Sequence, residues 1–187
     1  VCPSDEQPPQ VSSVWRGALD AQAFDALFRE CAADVHGYVI SLLGERSAAE
    51  DVTSLAFERL YRSRSRLDHR RGTPRAWLFA IARNAALDEL RQRRRRPRGD
   101  LPQEISAGAR SSEALDAVER RAAVGQALAA LSPREREVVL LKFHGELSNA
   151  ELARALGISE SNAATRLHRA LTRLREGAGR LQREEVA

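Results

Sequence analysis

The chain has 187 residues, 43% hydrophobic and 30% charged, enough apolar surface for one ordinary domain or two small ones. Only 5% of the residues are aromatic, so a helical protein is expected. Two cysteines and four histidines without ligand spacing argue against a disulfide framework or a metal site. No apolar run approaches the ~20 residues of a membrane span. The formal charge is +4 and the pI 9.8, carried almost wholly by arginine. Arginine suits two-pronged phosphate contacts, although a genomic codon bias produces the same excess.

Residues 1–18, rich in Pro, Gln and Ser, hold too little apolar surface to offset the entropy of ordering and are expected to form a disordered tail. A first module is expected over 19–97. Asp20 is placed to cap a helix in which Phe24, Leu27, Phe28, Cys31, Val35, Val39 and Leu42 recur until Gly44, as one long helix or two broken near Gly37. Ser47-Ala48-Ala49-Glu50 has the form of a capping box. It opens a helix carrying Val52, Leu55, Ala56, Phe57 and Leu60, with Glu50, Asp51, Glu58 and Arg59 along its exposed edge. Residues 63–73 are too polar for a packed helix and read as a basic loop.

Thr73 can cap a helix that begins at Pro74, where proline has no N–H to lose. Trp77, Leu78, Ile81, Ala82, Ala85, Ala86 and Leu90 fall on one apolar arc, and Arg83, Asn84, Leu87, Arg91 and Arg94 on the other side. The helix runs into Arg93-Arg94-Arg95-Arg96 before Pro97. Such a run either complements the helix dipole as a solvated terminus or neutralises a nucleic-acid backbone.

Residues 98–117 show no sustained period and are expected to be a flexible linker, able to separate two modules by up to about 65 Å. The second module is expected over 118–178, with residues 179–187 as a C-terminal tail. Ala114, Leu115, Val118, Ala122, Val124 and Leu128 mark a helix that leads into it. Ser132-Pro133-Arg134-Glu135 is a capping box opening a helix through Val138, Val139, Leu141 and Phe143. Ser148-Asn149-Ala150-Glu151 is another, opening a short helix stopped by Gly157. Ser159 caps the last helix. Short helix, glycine turn, inward Ile158 and longer helix have the spacing of a helix-turn-helix. Ala163, Leu167, Ala170, Leu171 and Leu174 form its buried stripe. Ser161, Asn162, Thr165, Arg166, His168, Arg169, Thr172 and Arg173 form a face suited to a major groove, where Asn and Arg pair with base edges. The expected fold class is all-α: two small helical domains joined by a flexible linker, the C-terminal one a helix-turn-helix.

In this order the motifs resemble those of the bacterial RNA polymerase sigma factors of the extracytoplasmic-function (ECF) class, within the sigma-70 family. Ala48-Ala49-Glu50-Asp51-Val52 and Phe57 resemble the polymerase-docking helix. Residues Leu67 to Leu78, followed by Ile81-Ala82-Arg83-Asn84, resemble the promoter-melting segment. Ala130 to Val138, and Leu156-Gly157-Ile158-Ser159 through Arg166 to Leu171, resemble the upstream-element reader. The resemblance implies a cytoplasmic bacterial transcription initiation factor that is not an enzyme and needs no cofactor or metal. Its implied partners are core RNA polymerase, through the beta-prime and beta subunits, and promoter DNA, duplex and single-stranded. An anti-sigma factor is a further implied partner, since such control is common in the family, and no membrane is involved.

The same resemblance assigns polymerase docking to Glu50, Asp51, Ser54, Phe57 and Glu58. It assigns the minus-ten element to Asp68, His69, Arg70, Arg71, Gly72, Arg75, Arg83, Asn84, Arg91 and Arg94, and the minus-thirty-five element to Ser161, Asn162, Thr165, Arg166, His168, Arg169 and Arg173. Two departures stand out. Ser54-Leu55 replaces a common Gln-Glu, and Ser161-Asn162-Ala163-Ala164 replaces a Gly-Thr-Val-Lys-like run. A stand-alone helix-turn-helix regulator and a DNA-processing enzyme are the competing readings. The enzyme would need a nucleophile, and both Tyr38, in an apolar helix, and Tyr61, at a helix end, read as packing residues.

Overall fold

The computed structural model describes residues 19–68, 72–95 and 124–184, with side-chain surroundings up to residue 177. The N-terminal module comprises α1 (Ala21–Leu43), α2 (Arg46–Ser63), a 3-10 turn (Arg64–Arg66) and α3 (Pro74–Arg95). A helical segment over 124–129 precedes α4 (Pro133–Gly145), α5 (Asn149–Leu156) and α6 (Glu160–Glu184). No strand occurs among the described residues. The expected tail over 1–18 and linker over 98–117 lie outside them, and α6 continues past position 178 to Glu184.

Most helix ends form where the side chains predicted them. The Asp20 carboxylate accepts from the Ala23 amide at 2.8 Å, and Gly44 ends α1 with its amide on the Ile40 carbonyl at 2.8 Å. The Thr73 hydroxyl accepts from the Ala76 amide at 3.2 Å. Both later capping boxes, Ser132 with Glu135 and Ser148 with Glu151, are complete. The box expected at Ser47 is not formed. The chain turns at Glu45 and is already helical at Arg46, so Ser47 lies inside the first turn and its hydroxyl donates to Glu45 instead, at 3.1 Å. Glu50 is taken by Arg46 at 2.9 Å.

The α1–α2–α3 core is built on Leu27, Cys31, Val35, Tyr38 and Val39 against Ala49, Val52, Ala56 and Leu60, with Leu78, Phe79, Ala82 and Ala86 from α3. Its buried arc on α3 is rotated from the one predicted, towards Ala76 and Phe79. Phe79 is fully buried, whereas Trp77, Ile81 and Leu90 are only partly so. The reason is a neighbour that periodicity within α3 cannot register: α4 packs on both α1 and α3 while also holding α6. Val138, Val139, Leu140 and Leu141 are four consecutive buried residues, as befits a helix covered on more than one side.

Two glycines admit α4 to this position. A Cβ on Gly37 would come within 2.9 Å of the His144 ring, and one on Gly145 within 3.3 Å of the Phe79 ring. Gly37 therefore does not break α1, which runs through it as one helix; it leaves room for the other module. The next residue after α4, Glu146, takes the left-handed conformation with φ of 53°, which costs a non-glycine residue about 1–2 kcal/mol.

Arg93 belongs to this packing. Its side chain is largely covered, pairs with Glu45 and Glu89 at 2.8 Å each, and reaches the Leu43 carbonyl at 3.4 Å, so it ties the end of α3 to the α1–α2 corner. It is not the free phosphate contact that the arginine run suggested. Arg93→Ala is expected to lower stability by about 1–2 kcal/mol, because Glu45 and Glu89 lose a charged hydrogen-bond donor; thermal unfolding followed by circular dichroism measures it.

Candidate nucleic-acid interface

The C-terminal module presents α6 on a stiff turn. The Ser148 hydroxyl accepts from the Glu151 amide at 3.3 Å while Glu151 reaches back to the Ser148 amide at 3.0 Å. Gly157 ends α5 at φ 66°, a conformation glycine adopts without Cβ strain, and the Ile158 amide closes on the Ala153 carbonyl at 3.0 Å. Lys142 braces the preceding turn by donating to the Leu147 carbonyl at 2.8 Å. The Ser159 hydroxyl then accepts from the Asn162 amide at 3.3 Å and starts α6.

Ala163, Leu167 and Ala170 are buried beneath α6, with Leu171 and Leu174 packed beside them. Ser161, Asn162, Thr165, His168, Arg169 and Arg173 are exposed and Arg166 is half-exposed, so the predicted reading face lies on one open side. Two features organise it. Arg166 donates to the Asn162 amide oxygen at 3.0 Å, which fixes the guanidinium beside the carboxamide. Thr165 donates to the Ser161 carbonyl at 2.8 Å. Arg173, at the far end, is engaged by Glu135 at 2.6 Å and thereby clamps α6 to the start of α4.

The predicted single-strand face is arranged differently. His69, Arg70 and Arg71 lie outside the described residues. Asp68, Asn84, Arg91 and Arg94 are exposed, and Arg91 pairs with Asp88 at 2.8 Å in an exposed contact of little energetic weight. Gly72 has φ 138°, and a Cβ there would sit 3.5 Å from the Arg154 guanidinium of α5. Arg75 and Arg83, which the resemblance assigns to the minus-ten element, are both engaged within the chain. Arg75 donates to Asp34 at 2.6 Å and to the His144 and Gly145 carbonyls at 2.7 and 2.8 Å. Arg83 pairs with Glu137 of α4 at 2.7 Å, the two side chains being only 17% and 15% exposed. A third tie joins the modules at Thr73, whose amide and hydroxyl both donate to Glu151, at 3.2 and 2.7 Å.

On α2, Glu50, Asp51, Ser54 and Glu58 are exposed, but Phe57 is 4% exposed and cannot be a docking contact. Its ring is buried against Phe24 and Phe28 at 6.2 and 4.7 Å. The apolar part of that edge comes instead from Phe28 and Tyr61, 47% and 40% exposed, with the Arg64 guanidinium stacked 3.9 Å over Tyr61. Tyr61 follows Asp51, Ser54 and Glu58 at helical spacing, which was the available signal for it. Tyr38, the other tyrosine, is fully buried, and its hydroxyl has no hydrogen-bond partner. Among the described residues no group of His, Cys, Asp and Glu could hold a metal, and no helix is long and apolar enough to cross a membrane.

Comparison with known proteins fits this layout. The chain matches the family described as Sigma-70 region 2 over residues 27–96 and the one described as Sigma-70, region 4 over residues 121–174. It is 33% identical over 159 residues to the ECF RNA polymerase sigma factor SigL of Mycobacterium tuberculosis, covering 84% of this chain and 90% of that one. It is 28% identical over 161 residues to the ECF RNA polymerase sigma factor RpoE of Cereibacter sphaeroides, covering 86% of this chain and 89% of that one. The fold is shared with the sigma factor RpoE of Bartonella quintana in its co-crystal structure with the anti-sigma factor NepR, at a TM-score of 0.63 and 21% identity, covering 85% of this chain and 98% of that one. The chain belongs to the ECF sigma factors of the sigma-70 family, whose work is promoter-specific transcription initiation.

The pins of this interface titrate. The Ser132 hydroxyl, more strongly than partial burial opposes it, holds the Glu135 carboxyl below its ordinary 4.5, with help from Arg173. Burial raises Glu151, but hydrogen bonds from Thr73 and Ser148 outweigh it and leave this carboxyl low as well. Burial also lowers His144 from 6.5, aided by Arg75 and opposed by Asp34. In each case the unfolded chain takes up the proton first, so stability falls as pH drops, below about 6.5 for His144 and below about 4.5 for the carboxylates. Melting temperature against pH is expected to decline in two steps, and His144→Gln to flatten only the first.

Proposed function

We propose that this sigma factor divides its labour between the two modules. The exposed face of α6 reads the minus-thirty-five duplex through Asn162, Arg166 and Arg169, with Ser161, Thr165 and His168 holding the backbone. The α3 face and the basic loop before it follow the separated strand of the minus-ten element, through Arg75, Arg83, Asn84, Arg91 and Arg94. The edge of α2 formed by Glu50, Asp51, Ser54 and Glu58, extended by Tyr61 and Phe28, docks on core RNA polymerase. The chain catalyses nothing itself and acts in the bacterial cytoplasm, where polymerase works. An anti-sigma factor is a further partner, by analogy with the Bartonella complex.

The observation that carries this reading is the mounting of α6. Its polar side is open along several turns, while the opposite side is a buried Ala163–Leu167–Ala170 stripe and the helix is held by the Ser159 cap at its start and by Arg173–Glu135 further along. Rigid presentation of hydrogen-bonding side chains is what major-groove readout requires. Ala164 stands where relatives commonly carry a base, so a shifted upstream preference is expected.

Run-off transcription with core polymerase tests the whole reading: a promoter-dependent product is expected, and its absence on every candidate template would count against it. In the same assay Asn162→Ala or Arg166→Ala should each cost about 1–3 kcal/mol on the preferred upstream sequence and relax the choice there. Because the two side chains are bonded to one another, the double variant is expected to lose less than the sum.

A further inference from the structure

Asn162 and Arg166 lie one turn apart on the open side of α6, and the bond between them has a direction. A guanidinium only donates, so the group that accepts from the Arg166 Nε at 3.0 Å is the carboxamide oxygen of Asn162, not its nitrogen. A free asparagine reads adenine two-pronged, accepting from N6 with its oxygen and donating to N7 with its nitrogen. Here the oxygen already serves a charged donor. Turning it towards a base would release the guanidinium.

The bond does more for Arg166 than for Asn162. An arginine side chain loses rotamer freedom when it is ordered, and a guanidinium already held at one nitrogen has lost part of that freedom before DNA arrives. Only Nε is used: among the described residues nothing engages Nη1 or Nη2. Those two nitrogens form a fork that matches the O6 and N7 acceptors of guanine.

The holder is also neutral. Exposed arginines on other helices are held by carboxylates three or four residues away, Arg46 by Glu50 at 2.9 Å, Arg62 by Glu58 at 2.7 Å and Arg91 by Asp88 at 2.8 Å. A carboxylate at position 162 would hold Arg166 as firmly, but it would offset the positive charge and set an anion beside the DNA phosphates. The carboxamide fixes the guanidinium and leaves its charge intact.

We propose that Asn162 is a positioning residue, which presets the Arg166 fork for the major groove, and that the base pair at that point is read by Arg166 alone. This rests on the assignment of the α6 face to the minus-thirty-five duplex and divides the work within it. Asn162 then has no base position of its own.

The test is transcription by core polymerase with the full chain, on a pool of templates randomised through the upstream element, with the products sequenced. Wild type should show one position with about tenfold preference for a base that Arg166→Ala makes indifferent. Asn162→Ala should weaken the preference at that same position to about threefold and leave the other positions unchanged, and the double variant should match Arg166→Ala. Asn162→Asp, which keeps the acceptor and lacks the donors, should keep the preferred base while lowering the yield on all sequences alike. Alanine raises helix propensity at an exposed helical position, so a weakened α6 cannot produce this pattern. The proposal is overturned if Asn162→Ala leaves that position unchanged, or removes choice at a second position that Arg166→Ala does not touch. A changed preferred base in Asn162→Asp overturns it too. Each of these results leaves duplex reading by α6 standing. A wild-type profile with no preferred upstream position instead removes that reading, and the positioning role with it.

Discussion

The Arg75 guanidinium is the constraint around which the two modules are arranged. Half-buried between α1, α3 and α4, it must find partners for its donors, because a covered charge without them is strongly destabilising. Asp34 supplies the counter-charge, and the His144 and Gly145 carbonyls supply the remaining acceptors. That requirement fixes where α4 ends, and with it the left-handed Glu146 and the absence of side chains at Gly37 and Gly145. The adjoining Arg83–Glu137 pair lies in the same covered seam. The Tyr38 hydroxyl, buried in the neighbouring core, has no hydrogen-bond partner among the described residues.

The C-terminal module is stable for a different reason. Its first two helices, α4 and α5, are short, and isolated helices of such length are marginal in water, so their caps matter more than those of the long helices. Ser132 and Ser148 each complete a reciprocal box, and each box glutamate also bonds outside its own helix. Glu135 holds Arg173 of α6, and Glu151 holds Thr73 of α3. A single carboxylate thus joins the start of one helix to another element. Acidification therefore weakens local capping and tertiary docking together.

The chain belongs to the ECF sigma factors, and its two modules differ in how much of their polar surface is open. The α6 face is open and internally ordered. The α3 face is partly filled by its own chain, while the α2 edge is open and more aromatic than its charges suggested.

Local signals carried much of the architecture. Asp20, Gly44, Thr73, Ser132, Ser148, Gly157 and Ser159 act within three to five residues of themselves, so they were legible as helix ends, and the open side of α6 followed from its apolar stripe. The exception, Ser47, failed because a box depends on where the preceding turn leaves the backbone. What the tertiary structure alone decided is which charged residues are free. Arg75, Arg83 and Arg93 have the same sequence character as Arg91 and Arg94, yet each has a partner on another element, in the first two cases more than fifty residues away. The four-residue apolar run Val138 to Leu141 was the one sequence sign that α4 is covered on more than one side. It shows that a cover exists but cannot say which surface provides it, because helical periodicity reports how much of a helix is buried and not against what.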